Sequence, residues 1–203
     1  IKLPFSSWVA DACAITNFDS LIADLSAQLP LSDLAYENLK ESVSEKSFID
    51  YIFFETFYGN QDWLYNNTTW YKAGDKKWKW VLNDLDYSLA YPGSENVQAN
   101  LFEKLRHGNS ITAQLFNAFY SHEKFRNKFK ARVSELIETV FSDEHIDQKT
   151  TALKSLYEKD IQRHIDRWRF IDSRSTWEKD CQHNVTFLKD RRIPYLKQVE
   201  DLE

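Results

Sequence analysis

The stretch FIDYIFFETFYGNQDWLYNNTTWYKAGDKKWKWVLNDLDYSLAY, residues 48–91, decides the fold, because its apolar period changes partway along. Phe48, Ile49, Ile52, Phe53 and Phe57 recur at helical spacing. They predict an amphipathic, core-facing helix, with Ser44 placed to cap its start and Gly59-Asn60 to end it. Beyond a short loop, Thr68–Ala73 and Lys77–Leu85 read as two strands joined by Gly74-Asp75-Lys76. In the second strand Trp78, Trp80 and Leu82 alternate with Lys77, Lys79 and Val81, the period of two expected where one face of a strand is buried.

Outward from this hairpin the chain reads as helix. Phe18–Leu29 is helical in pattern and is followed by Pro30, and Ser32 is placed to cap a short helix carrying Leu34 and Leu39. Pro92-Gly93 marks a loop from Tyr91 to about Val97. Leu115, Phe119, Phe125 and Phe129 predict one or two packed helices. Ser142 opens a long one carrying Ile146, Leu153, Tyr157, Ile161, Ile165 and Trp168, and a last helix is expected over Ser175–Leu188. The layout is α+β and mainly helical, with one small antiparallel insertion. It is read as a single domain over residues 1–203, with helices and hairpin in 1–97 and a helical region in 98–203.

Composition narrows the function classes. The chain has 203 residues, enough to bury a core, and no apolar run approaches the ~18 residues of a membrane span. A formal charge of −5 argues against a surface that coats nucleic acid, which calls for a basic face. Lys72, Lys76, Lys77 and Lys79 are local and read as a solvated hairpin face. Cys13 and Cys181 lie too far apart in sequence for metal-ligand spacing. His107, His122, His145, His164 and His183 are scattered, and His164 reads as structural. The chain contains no methionine, even at position 1. It therefore reads as a piece of a longer protein, with any targeting segment outside it. Aromatic residues make up 15% of the chain, so large rings are expected both in the core and along a cleft.

The residues with chemical potential flank the hairpin. Asp84 and Asp86 are expected to continue the even-numbered face of the second strand, where two carboxylates would stand roughly 6–7 Å apart. One or both could hold a hard cation such as Mg²⁺, with phosphates and water completing the shell. Before the first strand, Asp62 and Asn67 stand in a D-x4-N arrangement. Protein kinases place a loop Asp, an Asn five residues later, two short strands and then a metal-binding Asp in this same order. A loop Asp so placed receives or orients the proton of a substrate hydroxyl, while the Asn and the second Asp hold Mg²⁺ against the phosphates.

The run 48–91 resembles the signature of the CotH (spore coat protein H) kinase family: FIDY, then N-x-DW-x-x-NN, a hairpin, then WD-x-D. FRNKF (125–129), HIDRW (164–168) and FLKDRR (187–192) resemble that family's helical C-terminal region, so the likeness runs from about Phe18 to the end. The resemblance implies a protein-kinase-like C-lobe and Mg²⁺- and ATP-dependent phosphorylation of Ser or Thr in coat or surface proteins. It also implies a location at the spore or cell surface. By position it gives Asp62 the catalytic role, Asn67 and Asp84 a place at the cofactor, and Asp84, Asn67 and Asp86 the metal.

Departures from the family pattern matter as well. Asn83 stands where the family often has Trp, and Leu89-Ala90 where it often has Phe-Gly. A β-rich N-lobe with its phosphate-covering loop and strand lysine is absent and is expected before Ile1, so this piece alone should be inactive. Two other classes stay open. One is a non-catalytic surface, adhesion or coat-assembly module with a decayed site. The other is a metal-dependent glycosyltransferase using Asp-Leu-Asp for a sugar nucleotide, which the helical upstream region disfavours.

Overall fold

The computed structural model describes residues 2–3, 7–8, 18, 20–25, 28–74, 76–89 and 97–202. The loop expected at 91–97 and the turn residue Asp75 therefore lie largely outside the described residues, as do Cys13 and Ala90. Two short strands, β1 (Lys2–Leu3) and β2 (Ser7–Trp8), pair antiparallel. The sequence pattern had not marked this ribbon. Residues 20–25 are helical, and Phe18, Ile22 and Leu25 are buried.

Next come α1 (Asp33–Ser42) and α2 (Glu45–Tyr58). Ser32 caps α1 by accepting from the Ala35 amide at 3.2 Å. Of its two leucines, Leu39 is buried and Leu34 is exposed. Ser44 precedes α2 as expected, but its side chain makes no cap hydrogen bond. Gly59 ends α2 in the left-handed conformation, φ 66°, which favours glycine.

α2 is not amphipathic. Tyr51, Glu55 and Thr56 are buried along with Phe48, Ile49, Ile52, Phe53 and Phe57, so the helix is covered on nearly all sides. Its rings meet partners from several directions: Phe48 with Trp80 at 4.7 Å between centroids, Phe57 with Phe141 at 4.5 Å and Phe53 with Tyr195 at 5.7 Å. Each buried Phe contributes roughly 1.5–3 kcal/mol of transfer free energy, which makes α2 the axis of the core.

The hairpin is β3 (Thr69–Tyr71) and β4 (Lys79–Val81), with Thr69 opposite Val81 and Trp70 opposite Trp80. It is shorter than expected. Trp78 bridges to Val43 instead of to the partner strand, and the Ser44 amide donates to its carbonyl at 2.9 Å. Trp78 and Trp80 are buried against the helices. Leu82, beyond the strand end, is exposed. The four hairpin lysines are also exposed, as a solvated face requires.

The remaining helices are α3 (Phe102–His107), α4 (Ile111–Tyr120), α5 (Glu123–Glu138), α6 (Asp143–Tyr157), α7 (Ile161–Trp168), α8 (Arg174–Asp190) and α9 (Arg192–Glu200). The long helix expected after Ser142 is two. A turn closed by the Asp160 amide on the Tyr157 carbonyl at 3.0 Å separates α6 from α7, and both pack on α8. Leu153 and Tyr157, read as part of one stripe, are exposed. The last helix runs on past Leu188, and α9 follows it with Pro194 in its first turn, where a missing N–H costs nothing. The fold is mainly helical with small antiparallel ribbons, and one buried cluster gathers residues from Phe18 to Val199.

Candidate active site

The site is built from two loops, 59–68 after α2 and 82–89 after β4. Trp63 anchors the first. Its ring is buried, and its Nε1 donates to the Tyr51 hydroxyl of α2 at 2.8 Å. With Trp63 and Leu64 pinned inside, Asp62 is held at the loop's rim, half-buried. Asn66 Nδ2 donates to Asp62 Oδ1 at 2.7 Å, and Asn67 Nδ2 donates to Asp62 Oδ2 at 2.9 Å. Each carboxylate oxygen thus has its own amide donor, which fixes the plane of the carboxylate. Asn66 was not among the residues singled out from sequence. It forms an i+4 contact that only the folded turn creates.

Four of the five non-glycine residues with positive φ among the described residues lie in these two loops: Leu64 (104°), Asn67 (58°), Asp84 (54°) and Leu89 (57°). Asn and Asp tolerate this region because their short polar side chains bond locally. The two leucines do not, and each such conformation costs on the order of 1–3 kcal/mol. Leu64 is held there by its buried side chain. Leu89 is held by its amide, which donates to the Tyr58 carbonyl at 2.8 Å, and by its own carbonyl, 3.2 Å from His183 Nε2. His183 therefore supports a site loop, a role its sequence position gave no hint of.

Asp84 and Asp86 reach the site by a different route from the expected one. The strand stops at Val81, and the left-handed turn at Asp84 breaks the alternation, so the two acids do not continue the face of Trp78 and Trp80. The turn instead lets their carboxyl groups hydrogen-bond to each other, and this contact with Asp86, joined by the charge of Asp62, pushes the Asp84 carboxyl above the usual carboxylate range. Asp62 and Asp84 thus lie near enough for one charge to act on the other.

The two loops are stitched together by backbone. The Gln61 amide donates to the Tyr87 carbonyl at 3.0 Å, and Asn60 Nδ2 donates to the Asp84 carbonyl at 3.2 Å. Lys104 of α3 donates to the Gln61 carbonyl at 2.9 Å from the outside.

The donor set suits a hard cation. Asp62, Asp84, Asp86 and the Asn67 amide offer only oxygen as side-chain ligands, the donors a hard cation takes. Asn67 commits its nitrogen to Asp62, which leaves its amide oxygen as the end available to a metal. No group of three or more His, Cys, Asp or Glu side chains with metal-binding geometry occurs among the described residues. An ion here would take its remaining ligands from phosphate and water, the habit of Mg²⁺ in nucleotide sites.

A model of the family described as CotH kinase protein matches residues 12–193. The chain belongs to the CotH kinase family. The match spans both site loops and the helices from α1 to α8, and it covers the stretches whose motifs carried the resemblance. Neither the curated proteins nor the solved structures include a match to the chain. No helix among the described residues is long and apolar enough to cross a membrane.

Proposed function

We propose that this CotH-family chain carries the catalytic site of an ATP- and Mg²⁺-dependent kinase that phosphorylates Ser or Thr in coat or surface proteins, on a scaffold of the protein-kinase C-lobe type. One observation carries the reading: Asp62, its two oxygens clamped by Asn66 and Asn67, is joined through the Asn60 amide to the backbone of Asp84 across the hairpin. In this reading Asp62 accepts or orients the proton of the substrate hydroxyl. Asp84, Asp86 and the oxygen of Asn67 would hold the metal. Mg²⁺ when bound supplies charge neutralisation at the phosphates, and the chain supplies position. The loops after α2 and β4 bring the acids together, and later helices of the same domain brace those loops through Lys104 on Gln61 and His183 on Leu89.

The test is calorimetric titration of the whole protein with ATP in the presence and absence of Mg²⁺, alongside transfer of labelled phosphate to a Ser/Thr protein substrate. Binding should require Mg²⁺, and Asp62→Ala and Asp84→Ala should each abolish transfer without unfolding the protein. Transfer retained by both variants sinks the reading. No heat with Mg²⁺ and ATP would favour a non-catalytic surface module.

A further inference from the structure

Behind the acids lies a residue that takes no part in the roles just assigned. Glu55 is fully buried, one turn before the end of α2. Burying a carboxyl group is costly, and a helix interior has no structural need for one. Burial pushes its pKa up to about 7, against the opposing effects of Asn60 and Tyr51. Among the described residues Asn60 is the one side-chain amide that donates to it, its Nδ2 2.9 Å from Glu55 Oε2.

Asn60, equally buried, has three partners. Its Nδ2 donates to Glu55 Oε2 and also to the backbone carbonyl of Asp84 at 3.2 Å. Its Oδ1 accepts from the backbone amide of Asp62 at 3.3 Å. The two acids proposed for the reaction are therefore tied at the backbone to opposite ends of one amide group. An amide can bind in two orientations, and the one seen is the only one that satisfies all three partners. A carboxylate oxygen and a carbonyl oxygen both require the nitrogen end, and the Asp62 N–H requires the oxygen end. Were Asn60 reversed, its oxygen would face two oxygens and its nitrogen a backbone N–H.

We propose that Glu55 is a positioning residue: as the buried acceptor on α2 that anchors the Asn60 amide, it fixes the spacing between the Asp62 loop and the Asp84 loop. The proposal rests on the kinase reading for its effect on turnover, but not for its effect on the loops. The other links along the same seam, Gln61 to Tyr87 and Leu89 to Tyr58, run between backbones and involve no side chain.

The test uses the whole protein with three variants. Glu55→Gln keeps an acceptor oxygen at the same place and should keep turnover within about threefold of the parent. Glu55→Leu removes the acceptor and should lower kcat at least tenfold with KM for the protein substrate unchanged. It should also speed hydrogen exchange at the Asp62 amide by a similar factor. Asn60→Asp sets an oxygen against the Asp84 carbonyl whatever the protonation of Glu55. It should reproduce the Glu55→Leu effects even where the leucine variant does not fold. A purely structural Glu55 would lower the melting temperature and leave both kcat of the folded molecules and exchange at Asp62 at parental values. That result, in Glu55→Leu or in Asn60→Asp, overturns the proposal. The exchange measurement reads the loops with no turnover at all. An inactive parent or an active Asp62→Ala variant therefore counts against the kinase reading alone.

Discussion

Asn67 donates its side-chain nitrogen to Asp62 Oδ2 at 2.9 Å while its own backbone sits at φ 58°, so one residue both turns the chain into β3 and orients the acid five positions before it. Few side chains can do both. Asp tolerates the turn but has no N–H to give, whereas Leu or Val fails on both counts. Asn67→Asp is therefore expected to fold, with a melting temperature within a few degrees of the parent, and to lose on the order of 10²-fold in phosphotransfer. Asn66→Ala, which frees only the other oxygen, should lose less. Steady-state kinetics on the two variants, with circular dichroism to verify folding, measure both effects.

Gly108 makes a second test of how tightly the first loop is held. Its backbone is extended, φ −73°, so glycine is not needed for the turn itself. It is needed for space. A Cβ built there would lie 2.6 Å from the Lys104 carbonyl oxygen and 2.9 Å from a methyl group of Leu64. The carbonyl belongs to α3 and cannot yield cheaply, and Leu64 is already in a strained conformation. Gly108→Ala should destabilise the protein by about 1–3 kcal/mol, a cost typical of overpacking. In a thermal melt that is a fall of several degrees. Because Leu64 is two residues from Asp62, turnover should also drop more than the stability loss explains. A melt and a turnover both equal to the parent's would show that the loop has room to spare.

Much of this was legible in the sequence because it depends on spacing. Phe48 to Phe57 at helical period, Trp78 and Trp80 at period two, and the caps at Ser32 and Ser142 are local signals, and the structure contains each of them. The order Asp62, Asn67, hairpin, Asp84 is likewise a linear feature. What could not be read depends on contacts between distant residues. Whether α2 was buried on one side or nearly all depended on Phe141 and Tyr195, which lie far along the chain. The break between α6 and α7 lies at a turn closed by main-chain atoms, and both helices pack on α8, far along the chain. The left-handed turn at Asp84 replaced an expected strand because the 82–89 loop is pulled back onto 58–61 by backbone hydrogen bonds, and backbone groups are the same at every residue. For the same reason Asn60 was read as a helix end without its bridging role, since two of its partners are main-chain atoms in the two loops; Glu55 went unnoticed because its burial shows only in the folded core.

Glu55 also predicts a pH dependence of stability. Its pKa is about 7 in the folded protein against 4.5 for an unperturbed carboxyl. Below pH 4.5 it is protonated in both folded and unfolded states and contributes no pH-dependent difference. Between pH 4.5 and 7 the unfolded state releases the proton and the folded state keeps it. Stability therefore falls as pH rises across that window, then levels off. The full loss is on the order of 3 kcal/mol. Glu55→Gln removes this dependence, so urea denaturation of parent and variant should show the variant gaining relative stability from pH 5 to pH 8. A parallel pair of pH profiles would show that Glu55 titrates alike in both states.

Arg191 gives the strongest prediction about the scaffold, because it is a fully buried cation without an acid beside it among the described residues. Its guanidinium donates instead to a ring of carbonyls: Nε to Phe57 at 3.2 Å, Nη2 to Thr56 at 3.1 Å and to Ala99 at 2.7 Å, and Nη1 to Val97. Two of these carbonyls are at the C-terminus of α2, where the helix leaves them without internal partners and its dipole favours positive charge. Burial holds the guanidinium down to about 10, still well charged at neutral pH. Lysine cannot replace it, since one ammonium has too few donors and the wrong shape to span carbonyls on α2 and on the 97–99 segment at once. Arg191→Lys and Arg191→Met are each expected to destabilise the protein by about 1–3 kcal/mol for each carbonyl left unpaired, the cost of an unsatisfied buried acceptor. The loss should concentrate at the end of α2, so amide exchange at Tyr58, Gly59 and Asn60 should accelerate before that at the start of the helix. Because those residues lead into the Asp62 loop, phosphotransfer should fail at temperatures where the rest of the fold persists. Uniform exchange along α2 in either variant would mean that the carbonyls find other partners, and that Arg191 fills space there without tying the helix end in place.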